Sequence, residues 1–322
     1  MRRAIIVGCN GQDGRILYDR LLKEGCAIIG IGSDSIQSTE PCGFSALNIT
    51  DRQQVHELVK NWQPGEVYYL AAFHHSSQDA IGMDSAVLYE KSHAVHVAGL
   101  LCFLEAIRVA APAARLFYAA SSLVFGDPVE SPQNELTALN PQCIYGITKA
   151  TGVHCCRFYR KTHGVYAVAG FLYNHESIYR QPKFVSQKII RGAVEILKGR
   201  SNELVLGDLS ARIDWGYAPD YIEAMIRTLR ISGPEDFVIA TGRARSVLEF
   251  VQLAFEHLGL DWKGYVREDP SVLKRRNTNL VGDASKLKNL TGWQPQVSFE
   301  EMIAVLVNSA SAELGEQQGL LP

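Results

Sequence analysis

The chain has few of the features that mark secreted, membrane-bound or nucleic-acid-binding proteins. Its seven cysteines are an odd number and form no C-x-x-C pair, which is typical of reduced thiols in the cytoplasm. Lysine and arginine (32 residues) nearly balance aspartate and glutamate (34 residues), and the net charge of −2 provides no basic field for nucleic acid or lipid. No stretch approaches the roughly 20 apolar residues of a membrane-spanning helix. We therefore expect a cytoplasmic protein without nucleic-acid or membrane partners.

The histidine pattern gives little indication of a metal site. His74 and His75 are adjacent, and His93 and His96 are three residues apart, but neither pair has cysteine or acidic partners at ligand spacing. We expect these histidines to lie on the surface or along a site, and we expect no metal.

Short apolar runs recur along the first half of the chain, and each is typical of a strand buried on both faces. These runs are residues 4–7, 28–31, 67–70, 116–119 and 165–172. The segments between them have apolar residues at helical spacing, as at Val55, Leu58, Val59 and Trp62. This alternation predicts an α/β fold with a Rossmann-type, doubly wound parallel sheet.

The pattern changes after about residue 172, where polar loops and short helices take over and one later strand is predicted at 237–240. We therefore predict an NAD(P)-binding domain over residues 1–172. Residues 173–322 are predicted to form mainly a smaller C-terminal substrate-binding lobe, with the chain returning to the sheet around 237–255.

The first predicted strand leads directly into a G-x-x-G-x-x-G loop that opens a helix. Its glycines permit a tight turn and let backbone amides approach a pyrophosphate at the positive end of the helix. A glycine triplet alone is weak support for dinucleotide binding. Here a strand precedes it and a helix follows it, and dinucleotide binding requires this context, whereas a purely structural turn does not require it. The expected cofactor contacts in this loop are Gly8, Asn10, Gly11, Gln12, Asp13 and Gly14.

The end of the second strand favours NAD over NADP. It contains no arginine for a 2′-phosphate, and Asp34 can accept a hydrogen bond from a 2′-hydroxyl. The hydroxyls of Ser33 and Ser35 leave NADP open. Further cofactor contacts are expected at Ser33, Asp34, Asn48, Ile49, Leu70, Ala71 and Ala72. For Asn48 and Asp51 the alternative is a polar turn that caps the helix from Arg52.

A tyrosine and a lysine, Tyr145 and Lys149, are four residues apart on one predicted helix face. A neighbouring cation favours the phenolate, so we expect Lys149 to lower the pKa of Tyr145. Lys149 can also reach the nicotinamide ribose. Tyr145 and Lys149 are therefore expected to contact the cofactor as well. Ser121 follows a buried strand and projects a hydroxyl from the edge of the sheet where ligands bind. We predict that Ser121, Tyr145 and Lys149 are catalytic and move a proton to or from a sugar oxygen.

These motifs resemble the extended short-chain dehydrogenase/reductase superfamily and, within it, the GDP-mannose 4,6-dehydratases. The resemblance runs along nearly the whole chain. It rests on the loop from Gly8 to Gly14, the N-H-E-S segment from Asn174 to Ser177, F-V-S-Q-K-I from Phe184 to Ile189, and D-W-G from Asp214 to Gly216. It implies a Rossmann domain, a small nucleotide-sugar lobe, and a homodimer or homotetramer.

One departure from the family concerns the catalytic base. The family's S-T-S-E-L-Y-G motif, in which the glutamate removes the C5 proton, is matched by the segment from Ala120 to Gly126, with Ser121 at the threonine position and Leu123 at the glutamate position. Loss of an acid/base group typically slows its step by about 10²–10⁴-fold. Hydride transfer at C4 does not need this base, whereas dehydration does. Glu135 and His75 are possible replacements, but nothing in the sequence places them at C5.

Other departures concern the substrate. The family's substrate-facing arginine is replaced by Ile213, next to Arg212, and Arg276 is kept while an acidic partner is lost. An arginine beside a diphosphate would form a charge-assisted pair. The expected contacts of a nucleotide-diphosphate sugar are Ser122, Asn174, Glu176, Val185, Lys188, Arg212 and Arg276.

Three hypotheses remain open. The chain is favoured as a nucleotide-sugar 4-ketoreductase, dehydrogenase or 4-epimerase, with GDP-hexose as the expected substrate class. The second is a GDP-mannose 4,6-dehydratase with a relocated base. The third is a dinucleotide-binding sensor or scaffold without turnover.

Overall fold

The computed structural model describes residues 1–33, 36–39, 47–73, 84–269, 271 and 280–316. The predicted site residues Asp34 and Arg276, and the histidines His74 and His75, lie outside the described residues. The strands are β1 (Arg3–Val7), β2 (Ala27–Ile31), β3 (Ile36–Ser38), β4 (Glu66–Tyr69), β5 (Arg115–Ala119), β6 (Tyr166–Leu172), β7 (Asn174–Glu176), β8 (Leu204–Leu206), β9 (Arg212–Tyr217), β10 (Asp236–Ile239), β11 (Ala244–Ser246) and β12 (Val266–Glu268).

The α-helices are α1 (Gln12–Lys23), α2 (Arg52–Trp62), α3 (Ser85–His93), α4 (Gly99–Ala110), α5 (Ile144–His163), α6 (Val185–Leu197), α7 (Ala218–Thr228), α8 (Val247–His257), α9 (Ser285–Thr291) and α10 (Phe299–Glu316). Helix α2 begins where the side chain of Asp51 accepts hydrogen bonds from the backbone N–H groups of Gln53 and Gln54. Asp51 therefore caps α2, which is the alternative role considered for it.

The central sheet has seven strands in the order β10-β6-β5-β4-β1-β2-β3. Its neighbouring strands are parallel except β2 and β3, which are antiparallel. The predicted Rossmann-type α/β fold is confirmed. Because β1 and β4 lie side by side, the loops that follow them meet at one edge of the sheet, and the loop after β5 adjoins them.

The core consists of three apolar clusters. One covers the face of the sheet under α2, α4 and α5, and the second covers the opposite face under α1, α7 and part of α9. The third, formed by α6, α8, α10 and β9, lies in the second half of the chain. A fully buried Leu, Ile or Phe side chain contributes about 1.5–3 kcal/mol, so each cluster stabilises its layer strongly.

The second half of the chain supplies the edge strand β10, which pairs with β6. Asp236 of β10 is buried and forms ion pairs with Arg157 and Arg160 of α5. The carboxylate of Glu135 accepts a hydrogen bond from Val238 N–H at 2.8 Å. Helix α8, which follows β10, packs in the third cluster and not against the central sheet. The domain division at residue 172 and the predicted return of the chain to the sheet over 237–255 stay a proposal.

One helical run is long and apolar. Residues 85–110 combine α3, a π-helical turn over Ala94–Ala98 and α4. By length and composition alone this run could cross a membrane, contrary to the expectation that no stretch approaches such a helix. Half of its most apolar window is buried in the protein, where α4 packs against α2 and α5. The run therefore has the character of a core helix.

Candidate active site

The glycine-rich loop after β1 is shaped by contacts that exclude side chains. Gly8 has φ of +96°, and a Cβ there would lie 2.7 Å from the backbone nitrogen of Ala71. A Cβ on Gly14 would lie 2.2 Å from the carbonyl oxygen of Gly8. Gly11, the N-cap of α1, makes no side-chain cap to the first-turn amides. These amides, at the positive end of the helix, therefore fit a pyrophosphate.

Other predicted cofactor residues surround this loop. Leu70 continues β4, with its N–H donating to Val7 O at 2.8 Å, and Ala71 touches Gly8. At the end of β2, Ser33 is exposed, and a Cβ on Gly32 would lie 2.2 Å from Asn10 Nδ2. The structure thus brings together the segments after β1, β2 and β4 at one edge.

Asn48 and Ile49 precede α2. The Asn48 carbonyl oxygen Oδ1 accepts hydrogen bonds from Thr50, and the partly buried side chain of Ile49 packs against the core. Their contacts to the cofactor stay a prediction.

The side chains of Gln12 and Asp13 point towards the segment from Asn174 to Ser177. Gln12 Nε2 donates to His175 O at 3.1 Å, and Ser177 Oγ donates to Gln12 Oε1 at 3.0 Å. Side-chain contacts of Gln12 with the cofactor would have to compete with these bonds. The glycine-rich loop is thereby joined to β7.

Asp13 and His175 form a buried ion pair. His175 Nε2 lies 3.0 Å from both carboxylate oxygens of Asp13, and Nδ1 lies 2.7 Å from Tyr173 O. Because both ring nitrogens face acceptors, both carry protons and the imidazole is charged. Asp13 raises the pKa of His175 against the opposing effect of burial, and His175 lowers the pKa of Asp13 in the same way.

Tyr145 and Lys149 lie in the first turns of α5, as predicted. A Cβ on Gly146 would lie 2.6 Å from Leu123 O, so the glycine lets α5 pack against the turn from Ser122 to Val124. Lys149 is 1% exposed, and its Nζ donates to Ala119 O at 2.7 Å and lies 5.7 Å from the Tyr145 ring centroid. The ammonium is thus fixed between the end of β5 and the phenol ring.

The expected lowering of the Tyr145 pKa is not what the structure shows. Burial raises the pKa of Tyr145 well above its usual value, and the charge of Arg180 offsets only part of that. Burial also lowers the pKa of Lys149 to about 7, against the opposing charge of Asp13. The prediction failed because it counted the neighbouring charge and left out the loss of water around both groups.

Ser121 and Ser122 follow β5 at the same edge of the sheet. Ser121 is partly exposed and its Oγ accepts a hydrogen bond from Leu123 N–H at 3.2 Å, while Ser122 is buried. Leu123 is half-buried in the short 3₁₀ turn that packs against Gly146. The structure therefore places the backbone of Leu123 against the helix that carries Tyr145.

Glu135, the first alternative to the missing glutamate, is bonded to the edge strand β10. Its carboxylate accepts from Val238 N–H, and burial raises its pKa. It therefore acts as an anchor for β10. His75 lies outside the described residues.

The predicted substrate residues are spread over β7, α6 and β9. Asn174 and Arg212 are exposed, Val185 and Lys188 are half-buried on α6, and Arg212 donates to Ala244 O at 2.7 Å. Glu176 is buried and accepts a hydrogen bond from Ser186 Oγ at 2.6 Å. Their roles towards a substrate stay predictions.

Sequence reasoning missed Arg180. Its Nε lies 3.4 Å from Glu176 Oε2, its guanidinium lies 3.6 Å from the Phe184 ring centroid, and its charge acts on Tyr145, Asp13 and His175. It is the first basic residue after the N-H-E-S segment, which was the available signal.

A cavity of about 640 Å³ lies elsewhere, lined by the loop after β10, the start of α9 and the start of α10. None of the predicted site residues in the described ranges lines it. The candidate site is therefore the sheet edge at the glycine-rich loop and α5.

Two solved structures share this architecture. A protein described as RMD from Pseudomonas aeruginosa, complexed with NADPH, has a TM-score of 0.82 at 17% identity and covers 97% of this chain and 100% of its own. The dTDP-glucose 4,6-dehydratase of Bacillus anthracis, in complex with NAD, has a TM-score of 0.80 at 20% identity, with 98% of each chain covered. At these identities the two structures show a shared fold. The sequence relatives described next, together with the glycine-rich loop and the Tyr145–Lys149 helix, show that this chain is an NAD(P)-dependent enzyme of the short-chain dehydrogenase/reductase class.

Sequence similarity is more specific. GDP-mannose 4,6 dehydratase 2 of Arabidopsis thaliana is 34% identical over 99% of this chain and 89% of its own. The family model for GDP-mannose 4,6 dehydratase matches residues 5–306. The chain belongs to the GDP-mannose 4,6 dehydratase family, which confirms the resemblance inferred from the motifs.

Proposed function

We propose that this protein is a nucleotide-sugar oxidoreductase that acts at C4 of a GDP-hexose, as a 4-ketoreductase or dehydrogenase or as a 4-epimerase. One observation carries the proposal. The hydroxyl, phenol and ammonium groups of the site are retained, whereas Leu123 stands where the family's dehydratases have a glutamate. An alkyl side chain cannot accept the C5 proton, so a site of this composition supports oxidation and reduction at C4 better than elimination of water.

Each retained residue has a role that its position supports. A bound nicotinamide dinucleotide supplies the donor or acceptor of the hydride. Tyr145 donates its phenolic proton to the sugar oxygen at C4 in reduction, and its phenolate accepts the proton of the C4 hydroxyl in oxidation. Ser121 donates a hydrogen bond to the same oxygen. Lys149, charged when the site is filled, stabilises the phenolate that proton donation leaves behind.

Binding of the substrate is proposed to use the diphosphate. Lys188 and Arg212, with Arg276, supply positive charge, and the partly exposed position of Lys188 on α6 is compatible with a charge-assisted hydrogen bond. Asn174 and Val185, at the starts of β7 and α6, are further proposed contacts.

Dehydration of GDP-mannose is the second candidate because the family match covers residues 5–306 and the Arabidopsis relative bears that name. It requires a base other than Leu123. Mass spectrometry of GDP-mannose incubated with purified protein and catalytic NAD(P) separates the candidates. We expect no loss of water, and loss of water by the wild-type protein would overturn the proposal.

Restoring the carboxylate gives a sharper test. Leu123→Glu should create dehydration of GDP-mannose, because it returns a carboxylate to the position where the family's dehydratases have their base, with Ser121, Tyr145 and Lys149 retained. Leu123→Gln is the matched control of equal size, and it should remain inactive in dehydration. With 4-keto GDP-sugars and NADH or NADPH, the wild-type protein should form the hexose, and Leu123→Glu should keep that activity within about tenfold.

We further propose a cytoplasmic homodimer or homotetramer. Phe158 of α5 and Val109 of α4 are each 54% exposed, and Ile147 of α5 is 41% exposed, which leaves apolar surface on these two helices for a second copy. Light scattering coupled to size-exclusion chromatography would measure the assembly, and a monomer at micromolar concentration would contradict it.

A further inference from the structure

His96 lies at the centre of the π-helical turn between α3 and α4, and its side chain is fully buried. A π turn inserts one extra residue, so its carbonyl groups need partners outside the helix. Tyr69 Oη donates to Val95 O at 2.6 Å, and Tyr118 Oη donates to His96 O at 3.2 Å. Two buried tyrosines of the central sheet thus hold the turn in place.

The imidazole of His96 makes two directional hydrogen bonds. Phe73 N–H donates to Nε2 at 2.9 Å, and Nδ1 lies 2.7 Å from Thr148 Oγ1. A backbone N–H can only donate, so Nε2 carries a lone pair and the proton of the neutral ring is on Nδ1. Nδ1–H therefore donates to Thr148 Oγ1, whose own hydroxyl donates to Ile144 O or Tyr145 O.

The two hydrogen bonds join His96 to the predicted cofactor-binding segment on one side and to the helix of Tyr145 and Lys149 on the other. Phe73 directly follows Leu70–Ala72, the segment that touches the Gly8 turn and is predicted to contact the cofactor. Thr148 is on α5 between Tyr145 and Lys149, and the His96 ring meets the Tyr145 ring edge-on with centroids 5.1 Å apart. One imidazole thus connects the cofactor side to the catalytic helix.

We propose that His96, as the neutral Nδ1–H tautomer, is a positioning residue that fixes the distance between the cofactor-binding segment after β4 and the Tyr145 hydroxyl. Hydride and proton reach the same C–O group of the substrate, so the supports of both must be in register. A displacement of about 1 Å in such a site can cost about 10²-fold in rate. This role rests on the proposed function, whereas the tautomer and its effect on cofactor affinity do not.

The tautomer can be measured without any substrate. A long-range nitrogen–proton correlation spectrum of the nitrogen-labelled protein, with the His96 signals assigned by their loss in His96→Gln, should show a neutral ring protonated at Nδ1. Thr148→Val should shift the Nδ1 signal. A ring protonated at Nε2, or charged at neutral pH, would overturn the proposal.

Two variants separate the two bonds. The amide of His96→Asn reaches the position of Nδ1 and can still donate to Thr148, whereas the longer His96→Gln places its carbonyl near Nε2 and can still accept from Phe73. Both remove the aromatic contact with Tyr145, so each is the control for the other. NADH titration followed by fluorescence should show affinity about tenfold weaker for His96→Asn and nearly unchanged for His96→Gln.

The effects on turnover should be the reverse of those on NADH affinity. His96→Gln and Thr148→Val should lower kcat about tenfold at unchanged NADH affinity, and Thr148→Ser, which keeps the hydroxyl, should restore it. A purely structural role predicts losses that follow the melting temperature, with affinity and kcat falling together in all four variants; that result would overturn the proposal. If no nucleotide sugar is turned over, the proposed function fails, while the spectrum and the NADH affinities still decide the role of His96.

Discussion

The two halves of the site differ in how closely the structure constrains them. On the cofactor side, side chains at Gly8 or Gly14 would collide with the backbone, and Lys149 is fully enclosed. On the sugar side, Asn174 and Arg212 are exposed, and Leu123 departs from the family. This contrast supports the proposed function, in which hydride transfer needs one fixed geometry and the departure from the family at Leu123 lies on the side proposed to face the sugar.

The two halves meet at the contact between the glycine-rich loop and β7. The Asp13–His175 pair and the Gln12–Ser177 bond join residues more than 160 positions apart in the chain. If the comparison is right, substitutions among the catalytic residues on the cofactor side should have the largest effect. Substitutions at the contact between the glycine-rich loop and β7 should have a smaller effect, and substitutions that alter the preference between NAD and NADP the smallest.

The largest effect is expected for Tyr145→Phe. It keeps the buried ring and removes the only proposed proton donor, so kcat should fall about 10²–10⁴-fold. Steady-state kinetics on a 4-keto GDP-sugar and NADH titration would measure it, with NADH affinity staying within a few-fold. Tyr265→Phe, in the third cluster, is the control and should leave both values unchanged. Unchanged turnover of Tyr145→Phe would contradict the catalytic assignment.

An intermediate effect is expected for Asp13→Asn, which leaves a buried charged imidazole without its counter-ion. Breaking one partner of such a pair costs about 3 kcal/mol in the free energy of unfolding. Urea unfolding would measure it. The control, Glu223→Gln in the more exposed pair with Arg227, should change the free energy of unfolding much less.

The Asp13→Asn effect should also depend on pH. The folded pKa of Asp13 is lowered, so its stabilisation is present above its usual value of 3.8 and is lost on further acidification. The folded pKa of His175 is raised, so its stabilisation is present below its usual value of 6.5 and is lost as pH rises through the folded value. The difference between wild type and variant should therefore be greatest between these values. A pH-independent difference would exclude the ion pair.

The smallest effect is expected for cofactor choice. Isothermal titration should show NAD binding several-fold more tightly than NADP, because the segment after β2 has no arginine for a 2′-phosphate. Asp34→Ala should narrow the preference, and Ser33→Ala should leave it nearly unchanged. Tighter binding of NADP would contradict the expected preference for NAD. It would also mean that the cofactor side of the site has changed, which the comparison of the two halves does not predict.

The fold and the cofactor edge could be predicted from the sequence because their signals are local. Apolar runs of four to eight residues located the parallel strands, and the glycine spacing located the turn after β1. The antiparallel strand β3 and the π turn at His96 could not be predicted, because each depends on partners distant in sequence.

The site could be predicted in composition but less well in its physical state. Tyr145 and Lys149 were identified by their spacing, yet the direction of the Tyr145 pKa shift was wrong, since burial is a property of the whole fold. The Asp13–His175 pair was missed because a charge partner 162 residues away leaves no pattern in the sequence.

The edge strand β10 has a consequence for how this family can change by recombination. A crossover near residue 172 would bring in a foreign second half of the chain together with a foreign β10, whose residue at the position of Asp236 must meet the resident Arg157 and Arg160. Without a compatible strand, β6 becomes an open edge that invites aggregation. New specificities should therefore arise by point changes such as the one at Leu123 more readily than by exchange of whole lobes.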